Sequence, residues 1–262
     1  MTNGFVIVAQ NTKEVNYVEC AEALYFTIKH YMPDSNVTLI SNNSSNVFEN
    51  IIALPHGDLA SDSDWKLVND WQVYEASPYD NTIKIEADMI CTADICFYFE
   101  ALSNMDLCLC QTIRNYKGEI SESKAYREFI IDNRLPDIYN GLVYFTKSET
   151  AKNFFLIVKD VFLNWEEYKK ILICNKDEQV TTDWAYSIAC HIMGKEGITN
   201  PNLTQFSFVH MKKYINDLIT DNWTDELVYE FTDQFRIQSY TQRHLVHYQS
   251  KDFCRIIKKH YG

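Results

Sequence analysis

Ser77–Ile90 reads SPYDNTIKIEADMI. Its first five residues, Ser77-Pro78-Tyr79-Asp80-Asn81, have turn chemistry, because Pro presets a backbone dihedral while Asp and Asn bond to their own backbone. Thr82–Ile85 (TIKI) predicts a strand. That strand runs straight into Glu86-Ala87-Asp88, two acids one residue apart. In an extended chain residues i and i+2 project to the same side, so Glu86 and Asp88 are expected to point together. Open α/β sheets bind ligands beyond the carboxyl ends of their strands. Two carboxylates there can hold a hard divalent cation, Mn2+ or Mg2+, that bridges the oxygens of a diphosphate. The alternative is a pair of solvated loop acids, and the triplet alone does not separate the two.

Upstream, Gly4–Ala9 (GFVIVA) is the short β-branched run of a buried parallel strand. The polar turn Gln10-Asn11-Thr12 follows it. Tyr17–Tyr31 carries apolar residues at helical spacing and ends before Pro33. Val37–Ile40 and Ile51–Leu54 read as the next two strands. A strand–helix–strand start with short connections implies a βαβ unit and an α/β class. Asp64–Tyr74 reads as a helix. Downstream, Met105–Thr112 and Gly141–Phe145 read as strands, and Ser148–Trp165 and Thr181–Met193 as helices. Residues 114–137 lack a period and read as a long loop with room for one helix. One domain is expected, a core over 1–196 with a C-terminal extension over 197–262 packed on it.

No apolar run approaches the roughly 18 residues of a membrane span, and MTNGFVIVAQNTKE lacks the basic start and long apolar core of a signal peptide. The expectation is a cytoplasmic protein without a membrane partner; oligomeric state is not legible. The eight cysteines suit a reducing compartment and show no paired CxxC zinc spacing. Cys108 and Cys110 should share one side of a strand. Net charge is −12, which disfavours a nucleic-acid partner, yet residues 234–262 hold six Lys and Arg against one acid. Such a segment is either a solvated helix end or a face for phosphates.

The order of parts resembles the GT-A glycosyltransferases, in particular the glycogenin-like and lipopolysaccharide galactosyltransferase-like group. Gly4–Gln10 resembles the strand opening their nucleotide-binding unit, and Ser77–Ile90 the strand that delivers their Asp-x-Asp. Tyr139-Asn140-Gly141-Leu142-Val143-Tyr144-Phe145 resembles their Asn-Ser-Gly segment. Thr182-Asp183-Trp184-Ala185 resembles their Asp-Gln helix start. His247-Tyr248-Gln249-Ser250-Lys251 resembles the final motif, a His before Lys-Pro-Trp. The departures are Glu86 for the first Asp, no Ser after Asn140, and no Pro-Trp after Lys251.

The resemblance implies a GT-A-like, Rossmann-type mixed and mostly parallel sheet flanked by helices. It implies metal-dependent transfer of a sugar from a nucleoside diphosphate sugar, with a UDP-sugar first in line, to a hydroxyl, leaning towards retention. By the same implication Asp88, Glu86 and His247 are metal ligands. Asp183 and Asn140 serve the donor sugar and acceptor; Gln10, Asn11, Lys66, Glu86, Ala87 and Lys251 face the nucleotide. The texture of GFVIVAQNT, AEALYFTIKHYMPDSNVTLIS and EAD is similar to glycosyltransferases of tailed phages, which implies hydroxymethylated bases of phage DNA as one acceptor and the host cytoplasm as location.

Other readings stand beside these. Asp62-Ser63-Asp64 is formally the better Asp-x-Asp, but it follows a polar stretch, and Asp64 suits a helix N-cap. His244 and His247 fall on opposite faces of an alternating strand, so at most one binds metal, and His247 is favoured. Lys66, Tyr74 and Gln10 also suit surface or packing roles, and His56, Asp58 and His191 gain nothing from context. A saccharide acceptor, a nucleotidyltransferase and a non-catalytic phage α/β binding module are the alternatives. The nucleotidyltransferase is disfavoured because Gln10-Asn11-Thr12-Lys13 lacks the glycines of a triphosphate loop. No P-loop, GxGxxG or Ser-His-Asp order is present.

Overall fold

The structure is a computed structural model that describes residues 1–122, 124–175, 178–195, 197–199 and 204–262. Residue 196, the expected end of the core, lies outside them.

In chain order the N-terminal part comprises β1 (Asn3–Val8), α1 (Tyr17–Tyr31), β2 (Val37–Ile40), β3 (Asn50–Ile52), α2 (Val73–Ala76), β4 (Asn81–Glu86), β5 (Met89–Ile90) and α3 (Phe97–Ala101). The middle holds β6 (Leu107–Cys110), β7 (Thr112–Arg114), β8 (Ile120–Ser121), α4 (Glu128–Asp132), β9 (Tyr139–Thr146), α5 (Glu149–Leu163), α6 (Trp165–Tyr168) and α7 (Thr182–Met193). The last part contributes β10 (Ser207–His210), α8 (Lys213–Asn216), β11 (Tyr229–Phe231), β12 (Phe235–Ile237), β13 (Tyr240–Thr241), β14 (Leu245–His247) and α9 (Phe253–Tyr261).

A six-stranded sheet runs β3-β2-β1-β4-β9-β6. Strands β3, β2, β1 and β4 pair in parallel, while β9 is antiparallel to both β4 and β6. The mixed, mostly parallel α/β sheet expected from the sequence is therefore present. Strands β1, β2, β4 and β9 are largely buried, and β1, β2 and β9 are mostly apolar, because both faces of the sheet are covered there. Phe5 and Ile7 join a core with α1, and Val6 joins the opposite core with α5 and α7. The three longest helices, α1, α5 and α7, start where side chains satisfy free backbone N–H groups. Asn16 accepts from Glu19 N, Ser148 from Ala151 N, and Thr181 from Trp184 N.

A five-stranded sheet, β5-β14-β10-β7-β8, draws its strands from both sides of residue 197. A small antiparallel sheet, β11-β12-β13, stands apart. Several element bounds differ from expectation. Met105–Thr112 is two strands: a register irregularity at Leu109/Cys110 ends β6, and β7 pairs with β10 in the other sheet. A bulge re-aims a chain in this way. Asp64–Tyr74 begins as a 3-10 turn over Lys66–Gln72 before α2. The 114–137 stretch holds β8, a 3-10 turn at Lys124–Tyr126 and α4. Cys108 and Cys110 do share one core, and no disulfide joins cysteines among the described residues. Among the described residues no helix is long and apolar enough to cross a membrane.

Candidate metal and nucleotide site

Glu86 is the last residue of β4, beside Val8 at the carboxyl end of β1. The chain then turns through Ala87-Asp88 and enters β5 in the second sheet. Glu86 and Asp88 therefore meet across a turn, not by alternation along one strand as the spacing suggested. Strand β5 pairs with β14 and sets His247 opposite Met89, and Tyr248 N donates to Asp88 O at 3.2 Å. One ligand atom each from Glu86, Asp88 and His247 lies within 4.8 Å of the others. His247 Nε2 is 2.8 Å from Asp88 Oδ2, and Nδ1 is 3.5 Å from Glu86 Oε2. The Lys251 ammonium bonds to the same Asp88 oxygen.

Charge at this cluster follows from burial and partners. Burial pushes the Glu86 carboxyl up, with His247 opposing and Asp88 adding to the rise. Asp88 is also buried, but His247 and Lys251 outweigh that and hold its carboxyl far below the usual range. Burial opposes the Lys251 ammonium, yet Asp88 keeps it charged above the ordinary lysine value. His210 stacks on His247 with ring centroids 4.8 Å apart. Burial and the His247 charge push His210 well down, and its Nδ1 has no hydrogen-bond partner among the described residues.

Asn140, on β9, ties the cluster to the sheet. Its Nδ2 donates to Glu86 Oε1 at 2.9 Å, and its Oδ1 accepts from Lys84. Lys84 is 1% exposed and pairs with Asp70 at 2.6 Å; Tyr186 Oη donates to the other Asp70 oxygen at 2.6 Å. Asp183, in the first turn of α7, accepts from Asn140 N at 2.9 Å and from Arg127 at 2.5 Å. Arg127 also donates to Asp137 at 2.7 Å and to Ile138 O at 2.6 Å, and it lies 4.3 Å over the Tyr139 ring. Its carboxylate partners keep it charged despite burial.

These groups line a cavity of about 520 Å³. Gln10, Lys66, Glu86, Ala87, Asp88, Asn140, Asp183, His247 and Lys251 all face it. Gln10, 7% exposed, has a buried Nε2 with no hydrogen-bond partner among the described residues. Asn11 does not line the cavity; its Oδ1 accepts from Val18 N and fixes the entry to α1. Lys66 reaches the wall, but its ammonium bonds Asp58 at 2.7 Å and Ala60 O at 2.6 Å. Asp64 caps no helix, since the 3-10 turn has no side-chain cap; it accepts from Lys13 N at 3.0 Å and holds the loop after β1. His244 precedes β14 and stays outside the cavity, whereas Asp64 reaches its wall.

Sequence reasoning passed over Asp70, Lys84, Arg127, His210 and Lys212. A charged residue inside the apolar run TIKI was the one available signal, for Lys84. Arg127 sits in the aperiodic stretch, and nothing local announces its partners. The basic tail is mostly engaged internally: Lys258 bonds Glu22 at 2.6 Å, Arg255 approaches Glu19 at 3.7 Å, and Arg236 approaches Glu230 at 3.4 Å.

Two carboxylates and an imidazole form a donor set suited to Mn2+ or Mg2+. Lys251 and His247 converge on one Asp88 oxygen and offset its charge. The residues fit a divalent metal, which Asp88, Glu86 and His247 could hold.

No protein-family model matches the chain, and no curated protein sequence does. Among solved structures, an active-site mutant of LgtC matches over 99% of this chain and 96% of its own, at 9% identity and TM-score 0.52. Mouse xyloside xylosyltransferase 1 in its apo form matches over 94% of this chain and 97% of its own, at 9% identity and TM-score 0.50. LgtC with donor and acceptor sugar analogues, described as a galactosyltransferase, matches over 71% and 70%, at 12% identity and TM-score 0.46. The chain has a GT-A-like fold.

Proposed function

We propose that the protein is a metal-dependent glycosyltransferase that moves a sugar from a nucleoside diphosphate sugar to an acceptor hydroxyl. The observation that supports this reading best is the Glu86, Asp88 and His247 cluster, with Lys251, on the wall of a cavity at the carboxyl ends of β1 and β4. Mouse xyloside xylosyltransferase 1 shares the fold and is named for glycosyl transfer, which agrees with it.

In this reading the acceptor oxygen forms a bond to the anomeric carbon, and the bond from that carbon to the diphosphate breaks. The nucleoside diphosphate leaves with the bonding pair, and its departing oxygen takes the proton that the acceptor hydroxyl loses. A bound divalent ion supplies Lewis-acid neutralisation of the diphosphate. Lys251 adds a positive charge beside it. Gln10, on the cavity wall, faces the base or ribose. Asn140 and Asp183 are held rigidly by Lys84 and Arg127, and they orient the donor sugar. Asn11 contributes through the loop it fixes, and Lys66 through a released or shared hydrogen bond. Retention of configuration, UDP as the nucleotide, and hydroxymethylated DNA bases or a saccharide as acceptor extend the same proposal.

The test is donor hydrolysis and transfer across a panel of nucleotide sugars with Mn2+, with product anomeric configuration read by NMR. Nucleoside diphosphate release from at least one donor, lost in Asp88→Ala, is the expected result. No binding or turnover of any donor would leave the non-catalytic module.

A further inference from the structure

A second cavity of about 480 Å³ opens beside the first, and Tyr126, Lys212 and Gln249 line both. Transfer needs two bound molecules with reacting atoms about 3–3.5 Å apart, so acceptor space must adjoin donor space. Gln249, at this junction, adopts φ +60°, a left-handed backbone unusual for a residue other than glycine. Its amide lies 3.0 Å from a His247 ring nitrogen, which ties the junction to the metal cluster.

The cations around the two cavities differ in one respect. Lys66 pairs with Asp58, Arg127 with Asp183, Lys251 with Asp88, and Lys213 with Asp221 at 3.2 Å. Lys212 has no hydrogen-bond acceptor or ion-pair partner among the described residues; its ammonium lies 4.2 Å over the Tyr126 ring. Burial pushes it below the ordinary lysine value, with Asp183 and Glu86 opposing. A half-buried cation without a counter-ion is costly to maintain, and an arriving anion removes that cost. The donor diphosphate already has Lys251 and the metal ligands, whereas Lys212 faces the second cavity too. Tyr214 also lines that cavity, with its ring centroid 5.0 Å from the Lys213 ammonium.

We infer that the second cavity is the acceptor subsite, resting on the transferase reading above, and that it takes a hydroxyl acceptor bearing a phosphate ester whose charge is met by Lys212. A sugar phosphate and a nucleotide unit offer the same chemistry.

The experiment is calorimetry in two stages. Wild-type protein is first saturated with Mn2+ and the tightest binder among UDP, GDP, CDP, ADP and dTDP. It is then titrated with two matched pairs: glucose and glucose 6-phosphate, and 5-hydroxymethyl-2′-deoxycytidine and its 5′-monophosphate. In at least one pair the phosphorylated member should bind about tenfold tighter, the scale of a charge-assisted hydrogen bond. The pair that shows it identifies the source. Lys212→Met should cut the preference to about twofold or less, and Lys212→Arg, which keeps the charge, should retain most of it. Absence of phosphate preference in both pairs, or its persistence in a folded Lys212→Met, would overturn the inference. Failure of every nucleotide to bind in the first stage would instead overturn the transferase reading, and this inference with it.

Discussion

The six-stranded sheet uses strands of three to eight residues, and β1, β2, β3 and β4 lie within the first 86 residues. The five-stranded sheet uses strands of two to four residues drawn from residues 89 to 247. The first supplies Glu86 and Asn140; the second supplies His247, with Asp88 on the turn between them. A candidate metal cluster built this way depends on the packing of one sheet against the other. It also lies where a group bound on the first can meet a group bound on the second.

The comparison breaks most readily at the buried charges of the first sheet. Lys84→Met leaves Asp70 buried without its partner, and loss of one member of such a pair costs about 3–5 kcal/mol. Urea unfolding should show that loss; a change under about 1 kcal/mol would mean that the Lys84–Asp70 pair does not anchor this sheet.

The seam between the sheets is tested by Gly141→Ala. A Cβ there would sit 2.5 Å from Met89 Cε and 3.0 Å from Phe208 Cζ, on β5 and β10 of the second sheet. The Met89 tip can yield, but the Phe208 ring stands behind it. A destabilisation of about 1–3 kcal/mol is expected by the same unfolding assay. A neutral substitution would mean that the sheets are less closely packed at the cluster than the structure has them.

The smallest effect is a pH dependence on the first sheet's side of the cavity. Burial tends to raise the Asp58 carboxyl, but Lys66, Asn69 and Ala60 N–H outweigh it and lower the value. A lowered folded-state value gives stability that is present above the ordinary carboxylate range and is lost as pH falls through the folded value. Wild type should therefore lose more melting temperature than Asp58→Asn between about pH 5 and pH 3. Parallel profiles would detach Lys66 from Asp58 in solution.

What the sequence showed follows the same division. Continuous apolar runs and a helical period revealed β1, α1, β2 and β4, because a parallel strand covered on both faces must be apolar throughout. Glu86-Ala87-Asp88 was legible through its position after such a run. Strand β5 has two residues, and polar residues flank the one or two apolar ones of β7 and β10, so none offers the continuous apolar run that revealed β2; the turn that brings Asp88 to Glu86 was invisible too. Order along the chain selected Asn140, Asp183 and His247 where local pattern did not. Arg127 and Lys212 had no local signal, since their roles come from residues distant in sequence.

The central claim is that carboxylates at the end of β4 and the imidazole at the end of β14 act as one metal and diphosphate site. The most direct measurement is calorimetric titration of the tightest-binding nucleoside diphosphate, with and without Mn2+, in wild type, Asp88→Ala and His247→Ala. Manganese should tighten binding to wild type at least about tenfold, a difference of about 1.4 kcal/mol. Asp88→Ala should abolish that gain, and His247→Ala should reduce it. Retention of the full manganese-dependent gain in a folded Asp88→Ala protein would contradict the claim.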